Sequence, residues 1–362
     1  MINDRTMQSV LKKLEQNLSG RKVVFYGKDL KMKEYLESKG YSVEKIFTAD
    51  PKLIEDISYP CYPYQELSGK KDEYYVILPY LLNDGGKLLS QRMEHMGFLK
   101  DKDYSFCTEI MVTGIGGHYE DIHGNEIIGN CGKIRVFFFG RKNRVVIDDN
   151  LLVDGSLEIF CKGNDNKISI EKSCRFFGSN KIIFVENKSE ILIEKNCRFI
   201  GIQTRIFGNS YLKIGEDSSF GEKTSFNLPA YTKISIDKDC MFSWGIQVMS
   251  TDGHSIFDLH TKDNINSNHT NLSEGEYLGQ VEVGEHVWCG EGATILGGGI
   301  TRIGNGSIIG AESVVKGIYS NNVILAGIPA KVIRKDIAWS RANNATDIAA
   351  CNGYTDFTEE IE

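Results

Sequence analysis

The sequence predicts a chain of two domains, an α/β domain followed by an all-β coil of stacked turns. Residues 1–108 alternate helical patterns with short apolar strands. From about residue 127, helical periodicity disappears, and apolar residues begin to recur every six positions. At 362 residues the chain is long enough for two domains. We place their boundary between residues 108 and 109.

The first domain opens with an amphipathic helix, since apolar residues from Met7 to Leu18 fall at helical spacing. Short apolar runs then predict three buried strands, in KVVFYG, YSVEKIF and DEYYVILPYL. Two further helices, KMKEYLESKG and LLSQRMEHMG, end on Gly40 and Gly97, and glycine is a typical helix stop. This order of strands and helices predicts a parallel sheet of Rossmann type.

The turn after the first predicted strand bears on what this domain binds. A dinucleotide fingerprint would place GxGxxG there, because glycines let the backbone approach the pyrophosphate. The segment YGKDLKMKE contains only Gly27, so we do not expect NAD binding. A structural or docking domain, and a domain that binds a sugar nucleotide or a partner, both remain open.

The second domain repeats itself. Within its repeats, apolar residues recur every six positions, as in Val283, Cys289 and Ile295. This period fits neither a helix nor a half-buried strand, and indicates a coil with three flat faces of six residues each. Seven segments align on this pattern: VVIDDNLLV, ISIEKSCRF, ILIEKNCRF, LKIGEDSSF, ISIDKDCMF, VEVGEHVWC and TRIGNGSII.

Stacked repeats predict which side chains meet inside the coil. Cys174, Cys197 and Cys240 occupy the same corner of successive repeats, so we expect an inward ladder of small side chains. We do not expect a metal site there, because no histidine accompanies them. Counting six from Phe199 puts Arg205 at an inward position, where an arginine is a misfit.

One spacing between the repeats is much longer than the others. The aligned residues Ile236 and Val283 are 47 positions apart, whereas the other spacings are 20 to 23. The extra residues predict a long loop at 252–280, which begins with TDGHSIFD. Counting in sixes puts Asp252 at the small-residue corner of its coil. We therefore expect the chain to leave the coil at that corner, with His254 two residues beyond it.

Composition excludes several classes of protein. A net charge of −7 and a pI near 5.6 argue against nucleic-acid binding, which needs a basic surface. No run of eighteen apolar residues predicts a transmembrane segment, and the N-terminus lacks the apolar core of a secretory signal. Nine cysteines without a CxxC motif indicate reduced thiols in a cytoplasmic protein. We expect the polar, acidic tail at 340–362 to be weakly ordered.

Three segments carry a resemblance to a known family. They are VGEHVWCGEGATIL with IGNGSIIGAESVV, the loop TDGHSIFD, and the exit NNVILAGIPAKVIRKDIAW. Together they resemble the hexapeptide-repeat acyltransferases, in the branch of sugar and capsular-polysaccharide O-acetyltransferases. The resemblance implies that residues 109–339 form a left-handed parallel β-helix, that acetyl-CoA is the acyl donor, and that the protein is a homotrimer with sites between adjacent helices.

Acetyl transfer to a hydroxyl needs a base, and an unperturbed histidine titrates near pH 6.5, as such a base requires. His254, at the root of the long loop, is the best candidate and matches the family's catalytic position. A carboxylate would hold its tautomer, and Asp252 and Asp258 are both nearby in sequence. The resemblance favours Asp252. His286, in a corner of the repeat VEVGEHVWC, is expected to point outward.

The other site residues are predicted partly from their place in the sequence and partly from the resemblance. Trp288 should project outward, and in relatives a tryptophan here lines the site; an anchor between subunits is the alternative. Gly310 and Ala311 match the turn beside pantetheine. Lys331 and Arg334 could meet the 3′-phosphate of coenzyme A, or they could belong to a solvated terminus. No metal is expected to be required.

The sequence therefore predicts an acetyl-CoA-dependent O-acetyltransferase that modifies a sugar hydroxyl of a capsular polysaccharide, lipopolysaccharide or related glycan, with direct transfer because no GxSxG elbow is present. The alternative is an N-acetyltransferase of an amino-sugar nucleotide, with the first domain binding the nucleotide. A non-catalytic scaffold would not need the histidine loop. The identity of the sugar, and whether the acceptor is a polymer, a lipid-linked intermediate or a nucleotide sugar, cannot be read from the sequence.

Overall fold

The computed structural model describes residues 5–26, 30–48, 60–78, 85–100, 102–106, 110–112, 114, 116–121, 123–148, 150–266, 272 and 276–341. Apart from its first two residues, the predicted acidic tail lies outside these residues. The described residues form two compact units. The first contains the residues up to Val112 together with Tyr119–Glu126 and Val136–Lys142, and the second contains most of the remainder. The predicted boundary between residues 108 and 109 stays a prediction.

The first unit is built on a parallel sheet of five strands in the order β3-β2-β1-β4-β5. The predicted helices and strands are present in it. Its elements are α1 (Arg5–Asn17), β1 (Lys22–Tyr26), α2 (Leu30–Ser38), β2 (Val43–Thr48), β3 (Cys61–Pro63), the 3₁₀ helix Tyr64–Leu67, β4 (Tyr74–Leu78), α3 (Gly85–His95), β5 (Tyr104–Phe106) and β6 (Ile110–Val112). The next strand along the chain is β7 (His118–Glu120).

Both faces of this sheet are covered. Val23 and Phe25 of β1 pack on one side with Leu14 of α1, whereas Val24 of β1 packs on the other with Met93 of α3. The continuous apolar run that predicted β1 is therefore explained by burial on both faces, as is usual for parallel strands. None of the described helices is long and apolar enough to cross a membrane.

The second unit is a β-solenoid with three faces, as the six-residue period predicts. Its first face comprises β10, β12, β14, β17, β20, β23, β26 and β29, all paired in parallel. The second face comprises β15, β18, β21, β24, β27 and β30, and the third comprises β16, β19, β22, β25 and β28. The long strand β13 runs through both the second and third faces, because it pairs with β15 and with β16.

From β8 onward the strands have these bounds: β8 Glu126–Gly129, β9 Arg135–Phe138, β10 Arg144–Ile147, β11 Leu152–Cys161, β12 Lys167–Ile170, β13 Arg175–Phe184, β14 Glu190–Ile193, β15 Arg198–Ile200, β16 Gln203–Ile206, β17 Tyr211–Ile214, β18 Ser219–Phe220, β19 Ser225–Leu228, β20 Thr232–Ile236, β21 Met241–Phe242, β22 Gln247–Met249, β23 Gly279–Val283, β24 Trp288–Cys289, β25 Thr294–Leu296, β26 Gly299–Ile303, β27 Ile308–Ile309, β28 Val314–Val315, β29 Ile318–Tyr319, β30 Ile324–Gly327 and β31 Ala330–Arg334. The last of them, β31, pairs antiparallel with β30 and ends the stack.

Like side chains stack on like inside the solenoid. The phenyl rings of Phe176, Phe199 and Phe220 lie nearly parallel, with centroids 4.9 Å and 5.2 Å apart along the stack. Because each coil places the same position above its predecessor, one apolar residue per face continues the core from coil to coil. The core predicted from the period is therefore confirmed.

The predicted cysteine ladder is confirmed at the corner between the first and second faces. Cys174, Cys197 and Cys240 are fully buried, and Ser218 occupies the same corner in the intervening coil. Each side chain donates a hydrogen bond to a backbone carbonyl of the next coil, such as Cys197 Sγ to Gly215 O at 3.2 Å and Cys240 Sγ to Gly284 O at 3.1 Å. Burial raises the pKa of the Cys240 thiol to about 12. The ladder is thus a row of hydrogen-bond donors that satisfy corner carbonyls.

A C-terminal clasp, formed by Asp239, His286, Trp339 and Arg341, ties the last described residues to this corner. The Trp339 ring stacks on the His286 imidazole, with centroids 4.0 Å apart, and its Nε1 donates to His286 O at 2.8 Å. Arg341 Nε donates to Asp239 Oδ1 at 2.8 Å. His286, which we expected to point outward, is consequently only 8% exposed, because a tryptophan 53 residues later covers it.

Candidate active site

The long loop leaves the solenoid at Ser250, directly after β22. Ser250 is fully buried, and its Oγ donates to Thr232 Oγ1 at 2.7 Å. Its carbonyl lies so close to Gly297 and Gly279 that a Cβ on either glycine would sit 2.0 Å from the oxygen. Only glycine allows such an approach of two backbones, so this contact fixes the root of the loop.

The exit point corrects the position predicted for Asp252. We expected Asp252 at the small-residue corner, but Ser250 is the last buried residue before the loop and Asp252 is exposed. The chain turns outward two residues earlier than the count of six implies, because the Ser250 backbone is held between neighbouring coils. Both Asp252 and His254 therefore belong to the loop.

Beyond its root the loop folds into a short hairpin. Phe257 and Asn264 form an isolated antiparallel bridge. The Asp258 carboxylate accepts the backbone N–H groups of His260 and Thr261 at 2.7 Å and 2.8 Å. These bonds, from Thr261 first and then His260, lower the pKa of Asp258. Asp258, one of the two carboxylates predicted as alternative partners of His254, thus stabilises the hairpin turn.

Asn266 closes the base of this hairpin beside His254. Its Oδ1 accepts the Ile256 N–H at 2.7 Å, and its Nδ2 donates to the His254 carbonyl at 2.8 Å and to Asp252 Oδ2 at 3.4 Å. One amide therefore binds the backbone of the candidate base and the carboxylate next to it. Lys316 Nζ lies 3.6 Å from the other oxygen of Asp252.

His254 and Asp252 both line a cavity of about 540 Å³ at the corner between the third and first faces. The His254 side chain is exposed, and no residue in the described part of the chain forms a hydrogen bond with its ring. The ring can therefore accept a proton from a group in the cavity. Other residues that line the cavity include Glu186, Arg205, Phe207, Asn227, Met249 and Asn266.

Trp288 is not brought to this cavity within one chain. It belongs to β24 on the second face, where it is half-buried and its ring lies 6.0 Å from that of Trp339. Its Nε1 is buried, with no hydrogen-bond partner among the described residues. The role predicted for Trp288 in catalysis stays a prediction, as does its alternative role as an anchor between subunits.

The four residues predicted to bind coenzyme A lie near one another at the end of the solenoid. Gly310 donates its N–H to Leu325 O of β30 at 2.7 Å, and a Cβ on Gly310 would lie 3.2 Å from that of Ala326. Ala326 in turn pairs with Lys331 across the β30–β31 hairpin.

Lys331 and Arg334 are both exposed on β31, and within the described ranges neither forms an ion pair. Ala311 is exposed beside Gly310. A glycine turn beside two cationic side chains that form no ion pair with described residues fits a ligand that has a thin chain and phosphate groups.

Arg205 is the cavity residue that the sequence count misplaced. In β16 it is Thr204 that is buried and pairs with Phe226 of the next coil, whereas Arg205 is exposed. The corner before β16 is one residue shorter than the others, so the inward position falls at five residues after Phe199, not six. A charged residue at a predicted inward position was the signal in the sequence that the six-residue count is wrong at Arg205.

Asn227, Asn266 and Lys316 were not predicted, and the period gave no signal for them. Asn266 reaches His254 only because the hairpin folds back, which a spacing rule does not describe. Lys316 meets Asp252 across successive coils, although 64 positions separate them in the chain.

Comparison with known proteins places these features in context. No protein-family model matches the chain. A segment of 55 residues is 51% identical to WbbJ of Escherichia coli K12, which carries a provisional name as a lipopolysaccharide biosynthesis O-acetyl transferase, and covers 15% of this chain and 27% of that protein. A polysialic acid O-acetyltransferase of Escherichia coli O1:K1 is 29% identical over 124 residues, or 33% of this chain and 36% of that protein.

A solved structure extends the likeness to 60% of the chain. The crystal structure of the polysialic acid O-acetyltransferase OatWY matches with a TM-score of 0.51 at 26% identity, over 60% of this chain and 98% of that one. The chain spans only 27% to 36% of the length of the two curated relatives above. It is similar to O-acetyltransferases named for lipopolysaccharide and polysialic acid and it is a β-solenoid, so the predicted resemblance to the hexapeptide-repeat acyltransferases is confirmed.

Proposed function

We propose that the protein is an acetyl-CoA-dependent O-acetyltransferase that modifies a sugar hydroxyl of a capsular polysaccharide, lipopolysaccharide or related glycan. The observation that carries this proposal is His254, whose ring lines a cavity at the root of the long loop without a competing hydrogen bond from a described residue. The relatives above are named as O-acetyltransferases, and this supports the same activity.

In this mechanism His254 acts as the general base. It takes the proton of the acceptor hydroxyl as the oxygen attacks, and the resulting imidazolium returns a proton to the leaving sulfur. Bound acetyl-CoA would supply the thioester whose acetyl group is transferred. Asp252, which lines the same cavity, would stabilise the imidazolium by its charge. Asn266 would keep the backbone of His254 and the Asp252 carboxylate in place through the two bonds described above.

Coenzyme A would lie along the end of the solenoid. The turn at Gly310 and Ala311 would border pantetheine, while Lys331 and Arg334 would pair with phosphate groups. These assignments are supported by the exposure of both cations on β31. Trp288 would contribute to the site near the acetyl group or the acceptor.

We further propose that the solenoid is left-handed and that the protein is a homotrimer. Exposed apolar residues on the hairpin support a contact with another copy: Ile256, Phe257, Leu259 and Ile265 are 47% to 80% exposed. A second copy would also provide a means for residues on different faces, such as His254 and Trp288, to share one site. Five buried cysteines of the solenoid are free thiols, which is consistent with a reducing, cytoplasmic location: Cys161, Cys174, Cys197, Cys240 and Cys289.

The first unit is proposed to be a Rossmann-like domain. In its parallel sheet, β2 and β3 follow β1 on one side, whereas β4 and β5 lie on the other side of β1, as in doubly wound sheets. A role in holding a nucleotide, as required by an N-acetyltransferase of an amino-sugar nucleotide, has no comparable support, because the relatives above are named as O-acetyltransferases.

Incubation with labelled acetyl-CoA and a panel of oligosaccharides and amino-sugar nucleotides tests the proposal. We expect label on oligosaccharide oxygen, and a loss of about 10²- to 10⁴-fold in transfer for His254→Ala. His260→Ala is the matched control, since His260 is an exposed histidine of the same loop. Label found only on the amino group of a nucleotide sugar would favour the alternative, and unchanged transfer by His254→Ala would overturn the catalytic assignment.

A further inference from the structure

A row of outward side chains on the third face leads to the candidate base. Arg205 of β16 is the register partner of Asn227 of β19, and Asn227 is the partner of Met249 of β22. All three line the cavity together with His254. Paired strands are roughly 4.8 Å apart, so Arg205 lies about 10 Å along the stack from the coil that leads to His254. A short oligosaccharide in the cavity can therefore reach both residues.

Arg205 places in this cavity a positive charge that no described residue neutralises by an ion pair. Its side chain is exposed, and none of the described residues forms a hydrogen bond or ion pair with it. The Cζ atom of Arg205 lies 5.8 Å from the centroid of the Phe207 ring. A guanidinium is always charged and presents five N–H donors in a fork that matches a carboxylate.

The carboxylates of the cavity are already engaged. Glu186 Oε2 accepts the Gly208 N–H at 3.1 Å, and Asp252 has Lys316 at 3.6 Å and Asn266 at 3.4 Å. Arg205 is thus the charged group of the cavity for which the described chain provides no polar partner.

Asn227 provides a second, independent sign of a polar ligand. Its Oδ1 is buried, lies in a residue that lines the cavity, and has no hydrogen-bond partner among the described residues. Buried amide oxygens are rarely left without a donor. A sugar hydroxyl, which donates one hydrogen bond, would satisfy it.

We infer that the cavity selects a glycan acceptor that carries a carboxylate, with Arg205 binding the carboxylate and Asn227 Oδ1 accepting a hydroxyl hydrogen bond while another hydroxyl faces His254. This inference rests on the proposed function, and it names the substrate class. Arg205 and Asn227 then determine specificity, since neither takes part in the transfer of the acetyl group.

The test compares acidic acceptors with neutral copies of the same shape. Oligomers of sialic acid and of galacturonic acid, and the same oligomers with carboxylates reduced to alcohols, are offered to the wild-type protein and to Arg205→Ala. Loss of a charge-assisted pair predicts a fall in kcat/KM of about 10- to 100-fold for the acidic oligomers. The KM for acetyl-CoA and the activity on reduced oligomers should not change.

Arg198→Ala is the matched control, because Arg198 is an exposed arginine of the same coil whose guanidinium lies 5.1 Å from the ring of Phe177, on the second face. It should retain the preference for acidic oligomers. Equal use of acidic and reduced oligomers by the wild-type protein would overturn the inference, as would an equal loss on both in Arg205→Ala.

Calorimetric binding of the same oligomers to the His254→Ala protein separates this inference from the proposed function. We expect the reduced oligomers to bind at least about 10-fold more weakly than the acidic ones, and we expect this difference to disappear when Arg205→Ala is added. That result supports the inference even if no acetyl transfer is found. Acetyl transfer that proceeds equally well to the acidic and the reduced oligomers supports the proposed function and contradicts the inference.

Discussion

Two histidines, His254 in the long loop and His286 at a corner of the solenoid, have opposite surroundings. His254 is exposed at a cavity, and its ring has no hydrogen bond from the described residues. His286 is 8% exposed, with Nδ1 2.5 Å from Asp239 Oδ2 and Nε2 3.0 Å from Trp339 O. A ring without partners can exchange a proton with a substrate, whereas one between two acceptors is held in place. The difference shows that the surroundings, and not the residue type, separate a candidate base from a structural group.

The charge state of His286 follows from its two acceptors. Burial alone would lower the pKa of His286, but the hydrogen bonds to the Asp239 carboxylate and the Trp339 carbonyl outweigh it and raise the pKa above its usual 6.5. Burial would likewise raise the pKa of Asp239, yet His286 and Arg341 lower it below 3.8. Both shifts favour an ion pair within the clasp, in which the two imidazole N–H groups of His286 donate to Asp239 and to the Trp339 carbonyl.

Replacing each histidine by glutamine should separate catalysis from stability. We expect His254→Gln to lower kcat/KM for acetyl transfer by about 10²- to 10⁴-fold while its Tm stays at the wild-type value. His286→Gln should lower Tm and leave kcat unchanged at temperatures where the variant is folded, because the clasp lies on another corner. Kinetics and thermal denaturation of both variants check this. A variant that loses both activity and stability would break the distinction between the two corners.

The clasp should depend on Trp339 more than on any exposed aromatic residue. Trp339 is 7% exposed, and truncating a buried tryptophan to alanine typically costs about 3–5 kcal/mol. Trp244→Ala is the control, since Trp244 is 58% exposed and its loss should change stability by no more than about 0.5 kcal/mol. Urea denaturation followed by circular dichroism measures both. Equal effects would mean that the clasp does not stabilise the solenoid.

The ladder beneath the clasp should respond to loss of a donor. Cys240→Ala removes the thiol that donates to Gly284 O, and an unsatisfied buried carbonyl costs about 1–3 kcal/mol. Cys240→Ser should be milder, because Ser218 Oγ already donates to Asp237 O at 3.2 Å at the same corner. The measurement is again the free energy of unfolding in urea. A serine variant less stable than the alanine variant would argue that packing, and not hydrogen bonding, governs this corner.

The smallest expected effect is the dependence of stability on pH that comes from His286. Because its folded pKa is raised, its contribution is fully present below 6.5 and is lost as pH rises through the folded pKa. The contribution of Asp239, whose pKa is lowered, is present above 3.8 and is lost on further acidification.

The wild-type protein should therefore lose more stability than His286→Gln between about pH 6 and pH 9, as measured by urea midpoints at both values. If the urea midpoints of the two proteins change by the same amount between these pH values, His286 is not charged in the clasp.

The six-residue period predicted the faces of the solenoid but not the lengths of its corners. Faces follow from burial, which repeats with every coil and is visible in sequence as Ile236, Phe242 and Val248. Corner lengths depend on local turns, and one missing residue before β16 was enough to put Arg205 on the wrong side. The early exit at Ser250 has the same origin, since it is set by contact with glycines of neighbouring coils.

Long-range contacts account for what the sequence could not predict at the candidate site. His254 was found from its loop, yet Asn266 meets it through the folded hairpin and Lys316 meets Asp252 from a later coil. The burial of His286 depends on Trp339, and no periodic pattern connects the two. Spacing describes neighbours on one strand or one stack, while these contacts join the stack to segments outside it.

The two ends of the long loop meet at one point, where the Ser250 carbonyl touches Gly279 and Leu278 donates its N–H to Tyr231 O at 2.8 Å. Because the ends already lie together, the loop can lengthen at an entropic cost that grows only with the logarithm of its length. The loop can therefore be replaced without changing the strands on which it stands. A homologous segment with a different hairpin could be grafted between Ser250 and Gly279, and acceptor preference could evolve in this way while every coil beneath stays unaltered.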